Sequence, residues 1–246
     1  MHPNVDKFLA SQQRYFSGSY DQFLAFGGPC VYFHKECLAA GKEAFLSQRH
    51  IEMLYATLTA WGMHRMGDSE KAKAKLTDWA TFRSSVTTQG EHLHRFRPYR
   101  LLEMSEAEYS TAVLELQPYY QKLDLSMSSA TIVVNSKALH HFFPEFIPPI
   151  DRQYTIRFFS QSAEKWMDST GKFKAIQLPK DLDDQFRLFH ATCIEIRKLA
   201  SQVDPSLFRQ EREQFCVSGP KALDNAIVNY VRITASELRQ ARLSQT

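Results

Sequence analysis

Apolar residues in this chain recur three and four positions apart, and that spacing decides the fold class. Over residues 47–63 it picks out Ile51, Leu54, Tyr55, Leu58 and Trp61 as one buried stripe. Over 182–203 it picks out Phe186, Phe189, Cys193, Ile196 and Leu199, and over 220–242 Leu223, Ile227, Tyr230 and Val231. Ser105 and Glu108 make a capping box ahead of Tyr109, Val113 and Leu116. Pro220 suits the first position of a final helix. Further helices are expected near 5–15, 30–40, 70–85, 136–143 and 152–160. Strand-like alternation is rare, and 171–179 is the best candidate for a short extended piece. The chain therefore reads as all-α. Its 246 residues suffice for one large core or two small ones. We expect two helical lobes with a cleft between them, 1–68 with 180–246 in one and 69–179 in the other.

Several classes are disfavoured at once. No apolar run approaches the roughly 20 residues that span a bilayer. Residues 1–16 lack the basic, apolar and small-residue parts of a signal peptide. Cys30, Cys37, Cys193 and Cys216 show no CxxC spacing and read as reduced thiols, which points to the cytoplasm. A monomer without metal or cofactor, away from membranes, is the expectation. The formal net charge of +3 permits a polyanionic partner without demanding one.

The informative run is SSATIVVNSKALHHFFPEFIPPIDRQYT, residues 128–155. Thr131, Ile132, Val133 and Val134 are mediocre helix formers. Asn135 and Ser136 then supply a turn and an N-cap, so a helix is expected to start at Ser136 with Lys137 in its first turn. That helix stops at Pro144, and Pro148 and Pro149 stiffen the return to Asp151. From 137 to 143 the helix rises about 10 Å, and the eight-step return spans about 25 Å if extended. The chain can thus bring Asp151 back beside Lys137. An amine stripped of water by Phe142, Phe143 and Tyr154 is a nucleophile, and a nearby carboxylate can take its proton or stabilise a developing cation. The plainer reading stands beside this one: Asp151 caps the helix at 152–160 and Lys137 is a solvated first-turn residue.

The stretch SKALHHFFPEFIPPIDRQYT resembles the core of the helix-hairpin-helix DNA glycosylase superfamily. The likeness covers residues 105–160, and extends more weakly to TLTAWGMHRMG, 57–67. In that family a hairpin leads into a helix, and a loop ending in Pro-x-Asp follows. The aspartate is catalytic and also caps the next helix, and in the lyase-competent branch a lysine stands at the front of the hairpin's second helix. By motif, Asp151 matches that aspartate and Lys137 that lysine. The family's hairpin reads Leu-Pro-Gly-x-Gly; here Val133 and Asn135 occupy the two glycine places. Asn tolerates a left-handed turn and Val does not. The loop from lysine to aspartate is also shorter than in typical members. No four-cysteine iron–sulfur pattern follows.

Other residues suit a DNA enzyme. Arg95, Arg97 and Arg100 interleave with Phe96 and Tyr99, a pattern for phosphate contact and base stacking as well as for a solvated loop. Trp61, His64 and Arg65 end a helix at a glycine-bearing turn, where a side chain can fill the gap left by an extruded base. Asn135, Ser136, His140, Arg152 and Tyr154 complete the candidate DNA-binding set. The resemblance implies a glycosylase that flips a damaged or modified base into an aromatic pocket, with or without β-lyase activity. The diverged hairpin suggests an unusual target, such as a hypermodified base in phage DNA, and hence a defence role. The alternatives are a non-catalytic helical nucleic-acid-binding protein on the same scaffold and an interaction protein with no DNA role.

Overall fold

A computed structural model of the chain describes residues 2–24, 29–63 and 75–244. These residues hold helices and two isolated β-bridges, Leu76 with Ser126 and Met167 with Phe173, and no sheet. The fold is all-α. Expected helices form as Pro3–Ala10 and Gln12–Phe16, Cys30–Glu43, Gln48–Leu58, Glu106–Leu114, Ile132–Phe142, Arg152–Ile156 with Arg157–Ser160, Leu182–Ala200 and Gly219–Leu243. Of the one expected near 70–85, residues 70–74 lie outside the described residues, 75–78 are not helical, and a helix runs over Trp79–Leu93. The capping box is present, with Ser105 and Glu108 each satisfying the other's backbone N–H. A helix over Pro205–Phe215 was not expected, although Asp204 caps it and Pro205 opens it. At 171–179 only Phe173 pairs, in its bridge to Met167.

Buried hydrophobics form one continuous cluster from Val5 to Ala235. The Leu182–Ala200 helix lies along Glu106–Leu114 and touches Ile132–Phe142. It therefore packs against the middle helices. The Gly219–Leu243 helix packs on Gln12–Phe16, Ser19–Leu24 and Pro205–Phe215, and its residues 219–231 are buried on every side. Burial all round marks a central helix. Arg157, 2% exposed, ties the region near it together. Its guanidinium donates to the carbonyls of Gln153, Trp166 and Lys174 and lies over the Phe173 ring, so the buried cation is satisfied at each edge.

The Ile132–Phe142 helix, hereafter the lysine helix, corrects one expectation. It starts at Ile132, four residues before Ser136, and Asn135 and Ser136 lie inside it. Ile132 and Val134 are buried, so packing overrides their weak intrinsic preference. Thr131 provides no side-chain cap. Gln185, fully buried, caps from a distance: its Oε1 accepts from the Thr131 and Ile132 N–H groups at 2.7 and 3.1 Å. Its Nε2 donates to the carbonyls of Ser129 and Lys180.

Candidate active site

Ser136 explains how the two candidate catalytic residues meet. Its hydroxyl, buried inside the lysine helix, accepts from the Ile150 N–H at 3.2 Å and lies 3.1 Å from the Ile150 carbonyl. The residue before Lys137 thus clamps the residue before Asp151. His140, one helical turn on, donates Nδ1–H to the Ile147 carbonyl at 2.8 Å, and Tyr109 donates to the Phe146 carbonyl. Phe146, Ile147 and Ile150 are fully buried, so the proline-rich return is anchored by packing as well. Three hydroxyl or imidazole groups hold a loop that would otherwise bury bare backbone.

The return delivers Asp151 to Lys137. Lys137 Nζ lies 3.6 Å from Asp151 Oδ2, with side chains 10% and 30% exposed. The other oxygen, Oδ1, accepts from the Gln153 N–H at 2.7 Å and caps the turn Arg152–Ile156. One carboxylate therefore caps the turn with one oxygen and faces the Lys137 amine with the other. The pair borders a cavity of about 280 Å³ whose wall includes Trp61, Pro149, Tyr154, Lys221, Asp224 and Val228. Small-molecule sites run from roughly 300 Å³ upward, so this space suits one heterocycle.

Trp61 sits in the turn Thr59–Met63, where Gly62 adopts φ +93 and lets the chain leave the helix. Lys137 Nζ is 5.6 Å from the Trp61 ring centre, within cation–π range. Behind the indole, His34 stacks on Trp61 at 5.2 Å between ring centres. His34 Nδ1 is 3.0 Å from His141 Nε2, and His141 Nδ1 is 2.7 Å from the Lys137 carbonyl. A carbonyl only accepts, so His141 carries its proton on Nδ1, and His34 donates to its bare Nε2. The relay fixes both the indole and the backbone of Lys137. Burial, the largest cause, holds His141 down at about 3, and drives His34 and His140 well below the usual imidazole value. All three are neutral supports at physiological pH. Among the described residues no cluster of three or more His, Cys, Asp or Glu is arranged to hold a metal ion, and no helix is long and apolar enough to cross a membrane.

The other candidates divide. Tyr154 lines the cavity, and Arg152 is exposed beside Asp151 without lining it. Asn135, Ser136 and His140 are fully buried and bonded inward, so they support the site and do not face a DNA surface. Arg95 pairs with Glu115, and Arg97 and Arg100 line a second cavity at the far end of the lysine helix. None of these three lines the Lys137 cavity. His64 and Arg65 lie outside the described residues. The sequence reading missed Lys221 and Asp224, which share the cavity. A lysine and an aspartate three apart, in the otherwise largely apolar run 220–231, were the available signal. Comparison with family models, with curated proteins and with solved structures gives no match.

Proposed function

We propose that the chain is a DNA N-glycosylase of the helix-hairpin-helix kind. It acts on a damaged or modified base flipped into the cavity between Trp61 and Tyr154. The observation that carries this reading is the Lys137–Asp151 contact of 3.6 Å at the border of a base-sized cavity. Asp151 takes a proton from Lys137, and the freed amine attacks C1′ of the sugar as the base leaves. Asp151, again ionised once that proton passes to solvent, offsets positive charge on the sugar ring. The resulting Schiff base opens the way to strand cleavage by elimination.

Borohydride reduction in the presence of DNA carrying damaged or modified bases tests the reading. A covalent protein–DNA adduct is expected, absent in Lys137→Ala. Base release undiminished in Lys137→Ala would remove the lysine from the chemistry and leave Asp151 to activate water. The departure from the family's glycine pattern at Val133 and Asn135 is what motivates a phage-DNA target. Equal plating of phage with modified DNA, with and without the gene, would count against that role.

A second reading, a non-catalytic nucleic-acid-binding protein on the same scaffold, is favoured by one feature. The Thr131 and Ile132 N–H groups, where a hairpin would offer amides to a phosphate, are taken by Gln185. Salt-sensitive DNA binding with neither base release nor adduct would support it.

A further inference from the structure

The cavity holds a second amine–carboxylate pair that the chemistry above does not use. Lys221 Nζ lies 2.7 Å from Asp224 Oδ2, and each side chain is 7% exposed. The Lys221 amine is 5.1 Å from the Trp61 ring centre, against 5.6 Å for Lys137, so one indole serves both. A lysine in a first helical turn opposes the helix dipole, and burial strips its hydration. Apolar residues of similar volume would support the fold as well as a buried ion pair does. Ser19 and Asn225, both buried, line the same cavity.

The two pairs differ in grip. Asp151 is part-exposed and 3.6 Å from its lysine, whereas Asp224 holds Lys221 at 2.7 Å in the interior. Asp224 also joins the pairs: Thr155 Oγ1 donates to its Oδ1 at 3.3 Å and accepts from the Asp151 N–H at 3.2 Å. Asp224 therefore positions Lys221 directly and Asp151 through Thr155.

We infer that Lys221 receives the departing base; this rests on the excision reading above. As the Lys137 nitrogen bonds to C1′, the C1′–N bond to the base breaks and its electron pair leaves with the base. The negative charge so formed develops against the Lys221 ammonium, which passes a proton to the base and regains one from water. The substrate class follows. Bases that are neutral while attached, and leave as anions, gain from this cation. N-alkylated bases that already carry positive charge leave as neutral molecules, gain nothing, and are repelled.

The test is single-turnover excision on duplexes carrying uracil, 5-hydroxymethyluracil, 5-formyluracil, 8-oxoguanine or N7-methylguanine, with borohydride trapping on preformed abasic DNA as the companion measurement. Lys221→Met is expected to slow release of the least acidic base accepted by roughly 100-fold, and of the more acidic bases by less. Abasic trapping, in which no base departs, should fall far less than excision. Lys221→Arg should recover most of the rate. Lys221→Met combined with Asp224→Asn removes the pair as a unit, so no lone buried charge threatens folding, and should show the same graded loss. An equal loss across the bases, a parallel loss of abasic trapping, or N7-methylguanine as the preferred substrate overturns the assignment. Wild-type protein that neither excises nor traps removes the excision reading itself.

Discussion

Ser136→Ala tests whether one hydroxyl aligns the two candidate catalytic residues. Ser136 Oγ is the partner of both backbone polar groups of Ile150, a residue with no exposed surface. Alanine leaves that N–H and that carbonyl unsatisfied. Each such group costs about 1–3 kcal/mol, and partial relaxation of the loop makes about 3 kcal/mol a reasonable total. With a urea slope of about 3 kcal/mol/M for a chain of this size, the unfolding midpoint should fall by about 1 M with the slope unchanged. The loosened return also lets Asp151 drift from Lys137. A displacement of about 1 Å at a reacting pair costs on the order of 100-fold, so adduct formation on abasic DNA should fall steeply at temperatures where the variant is still folded. Stability within about 0.5 kcal/mol of wild type, together with undiminished trapping, would refute the clamp.

Three other perturbations probe the supports of the site. Gln185→Leu leaves the Thr131 and Ile132 N–H groups and the Ser129 and Lys180 carbonyls without their partner; a loss of about 3–5 kcal/mol is expected in urea unfolding, and a loss below about 1 kcal/mol would mean the remote cap is dispensable. Asp151→Asn keeps an oxygen for the Gln153 N–H but removes the charge facing Lys137, so adduct formation should collapse while stability stays within about 1 kcal/mol; Asp151→Ala should also lose about 1 kcal/mol of capping. His50 is fully buried and burial lowers it from 6.5 to about 4. Its folded value lies below its unfolded one, so its neutral form favours folding fully above about pH 6.5, and that advantage fades as pH falls towards 4. The stability of wild type relative to His50→Gln should therefore drop by about 2 kcal/mol between pH 7.5 and 5.0; a flat difference would contradict the burial argument.

The lysine and the aspartate were legible because their constraint is local. Prolines 144, 148 and 149 shape the return, and an aspartate ahead of a helix is a familiar cap. The start of the lysine helix was not legible, because the group that caps it stands at Gln185, some 50 residues on, and a window of neighbouring residues contains no trace of it. Lys221 and Asp224 escaped for a related reason. Periodicity separates apolar from polar faces, and a helical stretch buried on every side, as 219–231 is, has no polar face against which a buried charge would stand out. Trp61 was read chiefly as core. It does pack against the core, yet the Gly62 turn also shows its ring to the cavity. The arginines of 95–100 carried the right chemistry for DNA, but spacing alone cannot say which end of a helix a neighbouring segment meets.

The chamber around Lys137 draws its walls from Ser19 to Val228, so it is completed only late in synthesis. The ribosome delivers Lys137 and Asp151 first, and the Lys221 segment follows some 70 residues later, roughly 4–14 s at ordinary elongation speeds. Until then the amine has neighbours but no enclosed room in which to work. A product cut short before residue 219 carries the Lys137 amine without the far wall, and on the proposed reading its expected behaviour is inertness towards DNA.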